Sequence, residues 1–298
     1  MAKLKVSEMF YSLQGEGKYV GVPSVFLRTF GCNFKCAGFG MPLGQQSTER
    51  DSVDPTRYNS FQDLPLVHTG CDSYASWDPR FKDFSPVLDT DAVVSALLDL
   101  TPNKRWMQYV GNPVHLVITG GEPLLGWQRA YPDLLDHSRM EDLDHITFET
   151  NGTQELTDEF SDYLREWTSK WRGIDENTHE DFAGRFREVL FSVSPKLSGS
   201  GESWHEAICP EIVVNYQQVG EVYLKFVVST LADLMEANEA VNAYRNAGFM
   251  GRVYVMPTGG TTEGYDANKF NVANEALRMG FCYSPRLHVD LWGNGWGK

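Results

Sequence analysis

Short apolar runs alternate with amphipathic segments along most of this 298-residue chain, and this alternation limits the fold more than any other feature. The runs are rich in β-branched and aromatic residues, and we predict six strands, at 24–30, 114–120, 145–150, 188–194, 221–229 and 252–257. The segments between them have helical spacing, and we predict helices at 89–101, 156–171, 230–248 and 267–280. Most of the strands are apolar on both faces, which is typical of a parallel sheet covered by helices.

Repeated strand–helix units predict an α/β fold with a parallel sheet. Six such units indicate an incomplete, TIM-like (β/α)6 barrel, formed as a single domain over residues 1–298. A last strand is predicted at 286–292, before a glycine-rich tail. Two polar regions, at about 37–70 and 173–187, do not follow the alternation, and we interpret both as insertions on a compact core.

Unusual clusters of residues follow five of the predicted strands. In chain order they are GCNFKC, GGEP, ETNGT, SPK and MPTGG, after the first, second, third, fourth and sixth strands. The fifth strand, which ends in LKFVVS, is followed by no such cluster. Because barrels of this type place their chemistry at the carboxyl ends of the strands, we predict an active site along this rim.

Three cysteines are candidate metal ligands. Cys32 and Cys36 lie close together on a loop after the first strand, and Cys71 follows the 37–70 insertion. Closing a loop across the insertion costs about 2.5 kcal/mol more than closing a two-residue loop. Metal binding is worth on the order of 10 kcal/mol and can offset that cost. The three thiols can therefore belong to one site.

The kind of metal is not decided by spacing. Three thiolates can hold a four-iron cluster and leave one iron open for a ligand. A zinc ion with His68 or His115 as the fourth ligand is the alternative. Cys209 and Cys282 lie outside every motif, and we predict that they are structural.

Composition argues against several classes of protein. The net charge of −14 disfavours direct binding to nucleic acid, whose phosphates require a basic surface, and favours a small-molecule substrate. No apolar run is long enough to span a membrane, and the first residues lack the apolar core of a secretory signal. An odd number of cysteines then indicates reduced thiols, and we expect a cytoplasmic protein.

Cys32, Cys36 and Cys71, together with TGGEP at 119–123, resemble the radical S-adenosylmethionine enzymes. Further segments narrow the resemblance to the 7-carboxy-7-deazaguanine synthase family. They match in order from end to end apart from the insertions, and they lie at 10–36, 71–77, 149–153, 192–196, 255–264 and 285–294.

The resemblance implies a ring contraction in 7-deazaguanine, queuosine-type biosynthesis. The family converts 6-carboxy-5,6,7,8-tetrahydropterin into 7-carboxy-7-deazaguanine with loss of ammonia, using a 4Fe–4S cluster, S-adenosylmethionine and Mg²⁺. It also implies a lyase that works as a homodimer with an electron donor such as flavodoxin or ferredoxin. Another radical reaction, such as glycyl-radical activation, and an inactive iron–sulfur regulatory or binding protein are the alternatives.

The same resemblance implies the cofactor site. Cys32, Cys36 and Cys71 would hold the cluster, and Ser73, where the family usually has Thr, would bind Mg²⁺. No further catalytic residue is expected beyond the cluster and the cofactor radical. The residues implied to contact S-adenosylmethionine are Gly70, Asp72, Gly120, Gly121, Glu122, Glu149, Ser194, Pro195 and Lys196. For Glu122, which would pair with the cofactor ammonium, the alternative is a carboxylate that caps a helix.

The implied substrate contacts are Leu13, Gln14, Gly15, Glu16, Arg28, Thr119 and His288. Arg28 is a charge within an apolar strand and therefore needs a partner, either the substrate carboxylate or a structural salt bridge. His288 is either a substrate contact or a hydrogen-bonded core residue. The glycine-rich tail departs from the family pattern, and we interpret the 37–70 insertion as a lid or support beside the cluster.

Overall fold

The computed structural model describes residues 2–108, 112–169, 187–293 and 295–298. In these residues nine strands form one sheet: β1 (Lys3–Leu13), β2 (Pro23–Thr29), β3 (Val87–Asp89), β4 (His115–Gly120), β5 (His145–Thr150), β6 (Glu188–Val193), β7 (Glu221–Val228), β8 (Val253–Pro257) and β9 (Cys282–Tyr283). The α-helices are α1 (Thr90–Leu100), α2 (Tyr131–Leu135), α3 (Asp158–Ser169), α4 (Trp204–Ala207), α5 (Pro210–Tyr216), α6 (Leu231–Asn246), α7 (Thr262–Met279) and α8 (Leu287–Trp292).

The sheet has a parallel centre and an antiparallel edge. Its strand order is β3-β1-β2-β4-β5-β6-β7-β8-β9. Neighbouring strands are parallel from β2 to β9, whereas β1 runs antiparallel to both β2 and β3. Strands β2 and β4 to β8 correspond to the six strands predicted from the sequence. The predicted α/β class and the strand–helix alternation are therefore confirmed.

The central strands are buried because helices cover them. All six residues of β4 are buried, and α1 packs four apolar side chains into the same core as β4. Polar side chains define the helix ends: Asp89 accepts a hydrogen bond from the Ala92 amide at 2.9 Å to cap α1. Thr230 and Asp233 form a reciprocal capping box at the start of α6. This packing holds the carboxyl ends of the parallel strands at one edge of the sheet.

The prediction of a strand at 286–292 was wrong, because this segment forms helix α8. Pro285 precedes the segment, and Gly293, with φ +68°, ends the helix in the left-handed conformation. In so short a segment the periods of a strand and a helix place apolar residues similarly, so alternation does not distinguish them. Val289 is the buried residue of the helix, and Leu291 remains 52% exposed.

Further elements differ from the expectations, among them β3, β9, α2, α4 and α5, none of which was predicted. Strand β1 was not predicted, because charged residues such as Lys5 and Glu8 interrupt its apolar pattern; it pairs with β2 through a register shift between Val6 and Glu8. Helix α7 begins before the predicted residue 267, because the Thr261 side chain caps its first turn. None of the helices in the described parts of the chain has the length and apolarity to cross a membrane.

The 37–70 insertion forms short 3-10 turns rather than long elements, at Glu49–Ser52, Pro55–Arg57 and Phe61–Asp63. It has an apolar cluster of its own, in which Phe61 and Leu64 pack with Tyr74 and neighbouring side chains. This cluster fixes the insertion against the segment that follows Cys71. The predicted insertion at 173–187 lies outside the described residues, apart from Arg187.

Candidate active site

A cavity of about 490 Å³ lies at the carboxyl ends of the parallel strands. Each of the five motifs contributes residues to its wall, and the insertion and residues 295–298 contribute as well. Among the predicted contacts, the wall contains Leu13, Gln14, Gly15, Glu16, Arg28, Gly70, Asp72, Ser73, Thr119, Gly120, Gly121, Glu149, Ser194, Lys196 and His288. Glu122 and Pro195 are not part of the wall, although their neighbours are.

The thiols of Cys32, Cys36 and Cys71 meet in this wall. Cys32 and Cys71 pack against the apolar cluster that contains Cys36, so the insertion does not separate the third cysteine from the other two. The Trp77 indole donates to the Cys71 Sγ at 3.3 Å, and the Phe34 amide donates to the Cys32 Sγ at 3.4 Å. Such donors stabilise thiolates.

Burial raises the pKa of the three thiols, to about 12 for Cys32 and about 11 for Cys71. Lys196 opposes this rise at all three positions. A metal centre must therefore displace the thiol protons as it binds.

The arrangement suits a cluster better than a single zinc ion. Across the described residues, no three His, Cys, Asp or Glu side chains are placed to hold one metal ion. Both ring nitrogens of His115 are used, one with Ser24 Oγ at 3.2 Å and the other with Thr147 Oγ1 at 2.8 Å. His68 pairs with Glu49 at 2.9 Å. A 4Fe–4S cluster is wider than one ion and takes thiolate ligands, so it suits three thiols that line one cavity, and their role as its ligands stays a prediction.

The two glycines at the end of β4 pack closely against the end of β2 and the cysteine loop. A Cβ on Gly121 would lie 2.3 Å from the Gly31 carbonyl oxygen and 2.7 Å from the Cys32 Cβ. A Cβ on Gly120 would lie 2.3 Å from the Thr29 carbonyl oxygen. The glycines therefore permit the close approach of two backbones inside the protein, in addition to forming part of the cavity wall.

Glu122 is fully buried, and protein donors use its carboxylate. Its oxygens accept from the Leu124 amide at 3.0 Å, the Thr150 hydroxyl at 2.7 Å and the Asn151 amide at 2.7 Å. Burial raises the pKa of Glu122, although these hydrogen bonds oppose the rise. None of the described helices begins at Glu122, so its carboxylate binds two turns rather than capping a helix as the alternative had it. The contact with the cofactor ammonium stays a prediction. Glu122 connects the turn after β4 to the turn after β5.

The loop at 13–16 is held by several strands at once. Gln14 donates to the Glu149 carboxylate at 3.1 Å and accepts from the Glu16 amide at 3.1 Å. Gly15 packs so tightly on His288 that a Cβ would lie 2.2 Å from its Nδ1. Burial lowers the pKa of His288 to about 4, although Glu16 opposes this. The loop and the start of α8 therefore form one continuous part of the wall.

A chain of alternating charges crosses the wall. Lys225, from the middle of β7, donates to the Glu16 carboxylate, and Arg286 lies 3.4 Å from the other oxygen of the same carboxylate. Burial raises the pKa of Glu16, but Lys225, Arg286 and His288 outweigh burial and hold the pKa well below its ordinary value. Glu16 is therefore ionised at neutral pH.

The chain of charges continues towards β1. Arg286 Nη2 donates to Asp72 at 2.9 Å, the Ser73 hydroxyl donates to Asp72 at 3.2 Å, and Arg28 Nη1 donates to that hydroxyl at 3.2 Å. Arg28 Nε then donates to Glu8 at 3.3 Å. Protein donors thus occupy the side-chain oxygens of Asp72 and Ser73. In this arrangement the two residues do not offer free oxygen ligands to Mg²⁺, and Mg²⁺ binding at Ser73 stays a prediction.

Three residues of this network were absent from the sequence expectations, namely Lys225, Arg286 and Glu8. Like Arg28, Lys225 is a charged residue inside an apolar strand, and this feature of the sequence could have identified Lys225 as a site residue. It is 4% exposed, which explains why it needs the Glu16 carboxylate. Glu8 lies on the unpredicted β1, and Arg286 lies at the start of the helix that was predicted as a strand.

Residues 295–298 cross from α8 to the insertion. The Trp296 indole donates to the Leu64 carbonyl at 2.8 Å, and its ring packs edge-on against Phe61 with a centroid distance of 4.8 Å. Gly297 lies against Glu8, since a Cβ there would be 3.8 Å from the Glu8 Oε1. The tail and the insertion therefore support each other beside the cavity.

The fold and the site define a radical S-adenosylmethionine enzyme, because a partial α/β barrel brings three thiols and a glycine turn to one cavity. No protein-family model matches the chain. It is 31% identical to the 7-carboxy-7-deazaguanine synthase of Halobacterium salinarum, over 98% of this chain and 91% of that protein. This chain belongs to the 7-carboxy-7-deazaguanine synthase family.

A second relative agrees with the family assignment, and a solved structure agrees with the fold. The chain is 28% identical to the 7-carboxy-7-deazaguanine synthase of Pyrobaculum aerophilum, over 99% of this chain and 98% of that protein. Its fold is similar to the crystal structure of QueE from Escherichia coli, with a TM-score of 0.53 and 17% identity over 96% of this chain and 95% of that one. The resemblance seen in the sequence is confirmed, and the enzyme uses a 4Fe–4S cluster and S-adenosylmethionine.

Proposed function

We propose that this chain contracts the ring of 6-carboxy-5,6,7,8-tetrahydropterin to give 7-carboxy-7-deazaguanine with loss of ammonia, in queuosine-type biosynthesis. The observation that carries the proposal is the convergence of Cys32, Cys36 and Cys71 on one cavity in a member of this family. When bound, the cluster and S-adenosylmethionine supply the 5′-deoxyadenosyl radical that abstracts hydrogen from the substrate. The other contributions come from the protein side chains around the cavity.

The protein first prepares the cluster ligands. The indole of Trp77 and the amide of Phe34 donate to sulfur, and Lys196 places a positive charge near all three thiols. Gly121, directly after β4, lets the neighbouring turn reach the cysteine loop. These features support Cys32, Cys36 and Cys71 as the residues that would hold the cluster, and three thiolates would leave one of its four irons open to the cofactor.

The substrate side of the cavity offers charged side chains of both signs and an amide side chain. Arg28 lies in the wall, and its guanidinium, which already pairs with Glu8 and Ser73, can also donate to the pterin carboxylate. Gln14 and Glu16 supply a donor and acceptors for the edge of the ring, and Lys225 keeps Glu16 ionised and in place. Glu149, on β5, accepts a hydrogen bond from Gln14 and so orients its side chain. This set matches a small, flat substrate with one carboxylate.

Three finer points are part of the proposal and rest on the family resemblance. The electron donor is a flavodoxin or ferredoxin, the enzyme is a homodimer, and it works in the cytoplasm. The acidic net charge of −14 supports a small-molecule substrate rather than direct binding to nucleic acid.

The proposal is tested by anaerobic reconstitution with iron and sulfide, followed by assay with S-adenosylmethionine, dithionite and the carboxypterin. We expect 7-carboxy-7-deazaguanine and 5′-deoxyadenosine. Cys71→Ala should abolish iron uptake, whereas Cys209→Ala and Cys282→Ala, whose thiols lie outside the cavity wall, should not. A cluster that assembles without release of 5′-deoxyadenosine would support the inactive binding protein, and a colourless protein would support zinc.

A further inference from the structure

The corner formed by Asp72 and Ser73 lies directly after the third cysteine and is part of the cavity wall. Two guanidinium groups approach it. Arg286 Nη2 donates to one Asp72 oxygen at 2.9 Å, and Arg28 Nη1 donates to the Ser73 hydroxyl at 3.2 Å. The same hydroxyl donates to the second Asp72 oxygen at 3.2 Å. Cationic donors therefore engage one Asp72 oxygen and the Ser73 hydroxyl, and that hydroxyl engages the second Asp72 oxygen, so a divalent cation would compete for each of them.

Arg286 is held firmly in this position. It is 8% exposed, and its guanidinium also lies 3.4 Å from Glu16 and donates to the Gly259 carbonyl. Its backbone amide donates to the Tyr265 hydroxyl at 3.2 Å. Arg286 directly precedes the first residue of α8, so the start of this helix fixes the Arg286 backbone. Moving the guanidinium away would break several of these contacts at once.

Each carboxyl group around the corner already has a cationic partner. Glu8, Asp72 and Glu16 each lie beside at least one of the cations Arg28, Arg286 and Lys225. A divalent cation requires oxygen ligands and adds two positive charges. Placed at Ser73, it would repel two buried or half-buried guanidinium groups and compete with them for Asp72.

We infer that Arg286 takes the place of a divalent cation at the Asp72–Ser73 corner, so that this enzyme carries out its reaction without Mg²⁺. The inference rests on the proposed function for the reaction, but the binding of the cation can be measured without turnover. Arg286 is a positioning residue here, because it acts on the loop at 13–16 and on Asp72 rather than on the reacting atoms.

The binding test uses Mn²⁺ with the reconstituted holoenzyme, followed by electron paramagnetic resonance of the free ion. We expect no binding to the parent enzyme at millimolar Mn²⁺. Arg286→Gln keeps an amide donor and removes the charge, and it should bind Mn²⁺ at least about tenfold more tightly. Arg286→Lys keeps the charge and should resemble the parent. Arg278→Gln removes one charge from the surface of α7 and is the matched control.

The activity test compares metal-free, chelator-treated buffer with added Mg²⁺. The parent enzyme should form 7-carboxy-7-deazaguanine at the same rate in both, and Arg286→Gln should become dependent on Mg²⁺. Submillimolar Mn²⁺ binding to the parent, together with loss of its activity in metal-free buffer, overturns the inference even if the Gln variant does not fold. An absence of product in both buffers contradicts the proposed function instead, while the Mn²⁺ measurement still decides the inference.

Discussion

Replacing Gly121 by alanine tests whether the glycine turn after β4 positions the cysteine loop. An added Cβ would lie 2.3 Å from the Gly31 carbonyl oxygen, where ordinary contact begins at 3.4 Å. It would also lie 2.7 Å from the Cys32 Cβ. The neighbouring carbonyl is backbone, so it cannot rotate away as a flexible side chain could. The loop that carries the first thiol must therefore move by about 1 Å.

The expected cost follows from this overlap. Inserting one carbon into a tightly packed region costs about 1–3 kcal/mol, and backbone neighbours place Gly121→Ala at the upper end, at about 3 kcal/mol. The smaller number of unfolded conformations available to alanine offsets less than about 1 kcal/mol of this. Because the displaced loop holds Cys32, we also expect iron content after reconstitution to fall well below four per chain.

Two measurements on the same preparations check the prediction. Anaerobic urea unfolding of the apoprotein gives the free energy of unfolding, and iron analysis gives the cluster content. Gly199→Ala is the matched control, since its Cβ would meet only the Asp233 Oδ1 at 3.6 Å among neighbouring atoms of the described structure. It should change stability by less than about 0.5 kcal/mol. A Gly121→Ala protein as stable and as rich in iron as the parent would refute the reasoning.

Three further predictions concern the buried histidine, the tail and the insertion. Burial lowers the pKa of His115 to about 3, so between pH 6.5 and 3 the unfolded chain binds a proton that the folded chain does not. As the pH is lowered through this range, His115 should therefore reduce the free energy of unfolding by about 1.4 kcal/mol per pH unit. Urea unfolding of His115→Gln at several pH values should lack this part of the pH dependence. Trp296→Ala removes a ring contact with Phe61 and a hydrogen bond to Leu64, and it should lower the free energy of unfolding by about 2 kcal/mol and raise the KM for the pterin. Trp296→Phe keeps a ring and should lower it by less. An unchanged KM in Trp296→Ala would contradict the supporting role of the tail. Shortening the 37–70 insertion to a two-residue gap should alter turnover or substrate range, and unchanged kinetics would show that it is neither lid nor support.

The sequence predicted the parallel centre of the fold because those strands are buried on both faces. A short run that is apolar throughout, such as 114–120, suits a central strand of a parallel sheet, where both faces are buried, and few other structures. The same reasoning failed for 286–292, because a short amphipathic segment suits a strand or a helix equally. This segment, which follows Pro285 and ends at Gly293, forms a helix. Strand β1, whose charges are stabilised by partners far away in the chain, was also missed.

The candidate site was predictable where residue types are distinctive. The cysteines and glycines are such types, and the cavity wall contains them. The ion pairs of the wall were not predictable, because Lys225 and Glu16 are distant in sequence and meet only once the barrel forms. Arg286 is similar, because a lone arginine at the start of a predicted strand carries no signal until the fold places it between two carboxylates.

The contact between Gly297 and Glu8, together with the packing of Trp296 on Phe61, has a consequence for the order of folding. Glu8 and Gly297 are far apart in the sequence, and contacts between distant segments cost the most loop entropy to form. We therefore expect this side of the cavity wall to close after the parallel sheet has formed. Iron and sulfide should then reach the thiols more easily in the partly folded chain than in the native one.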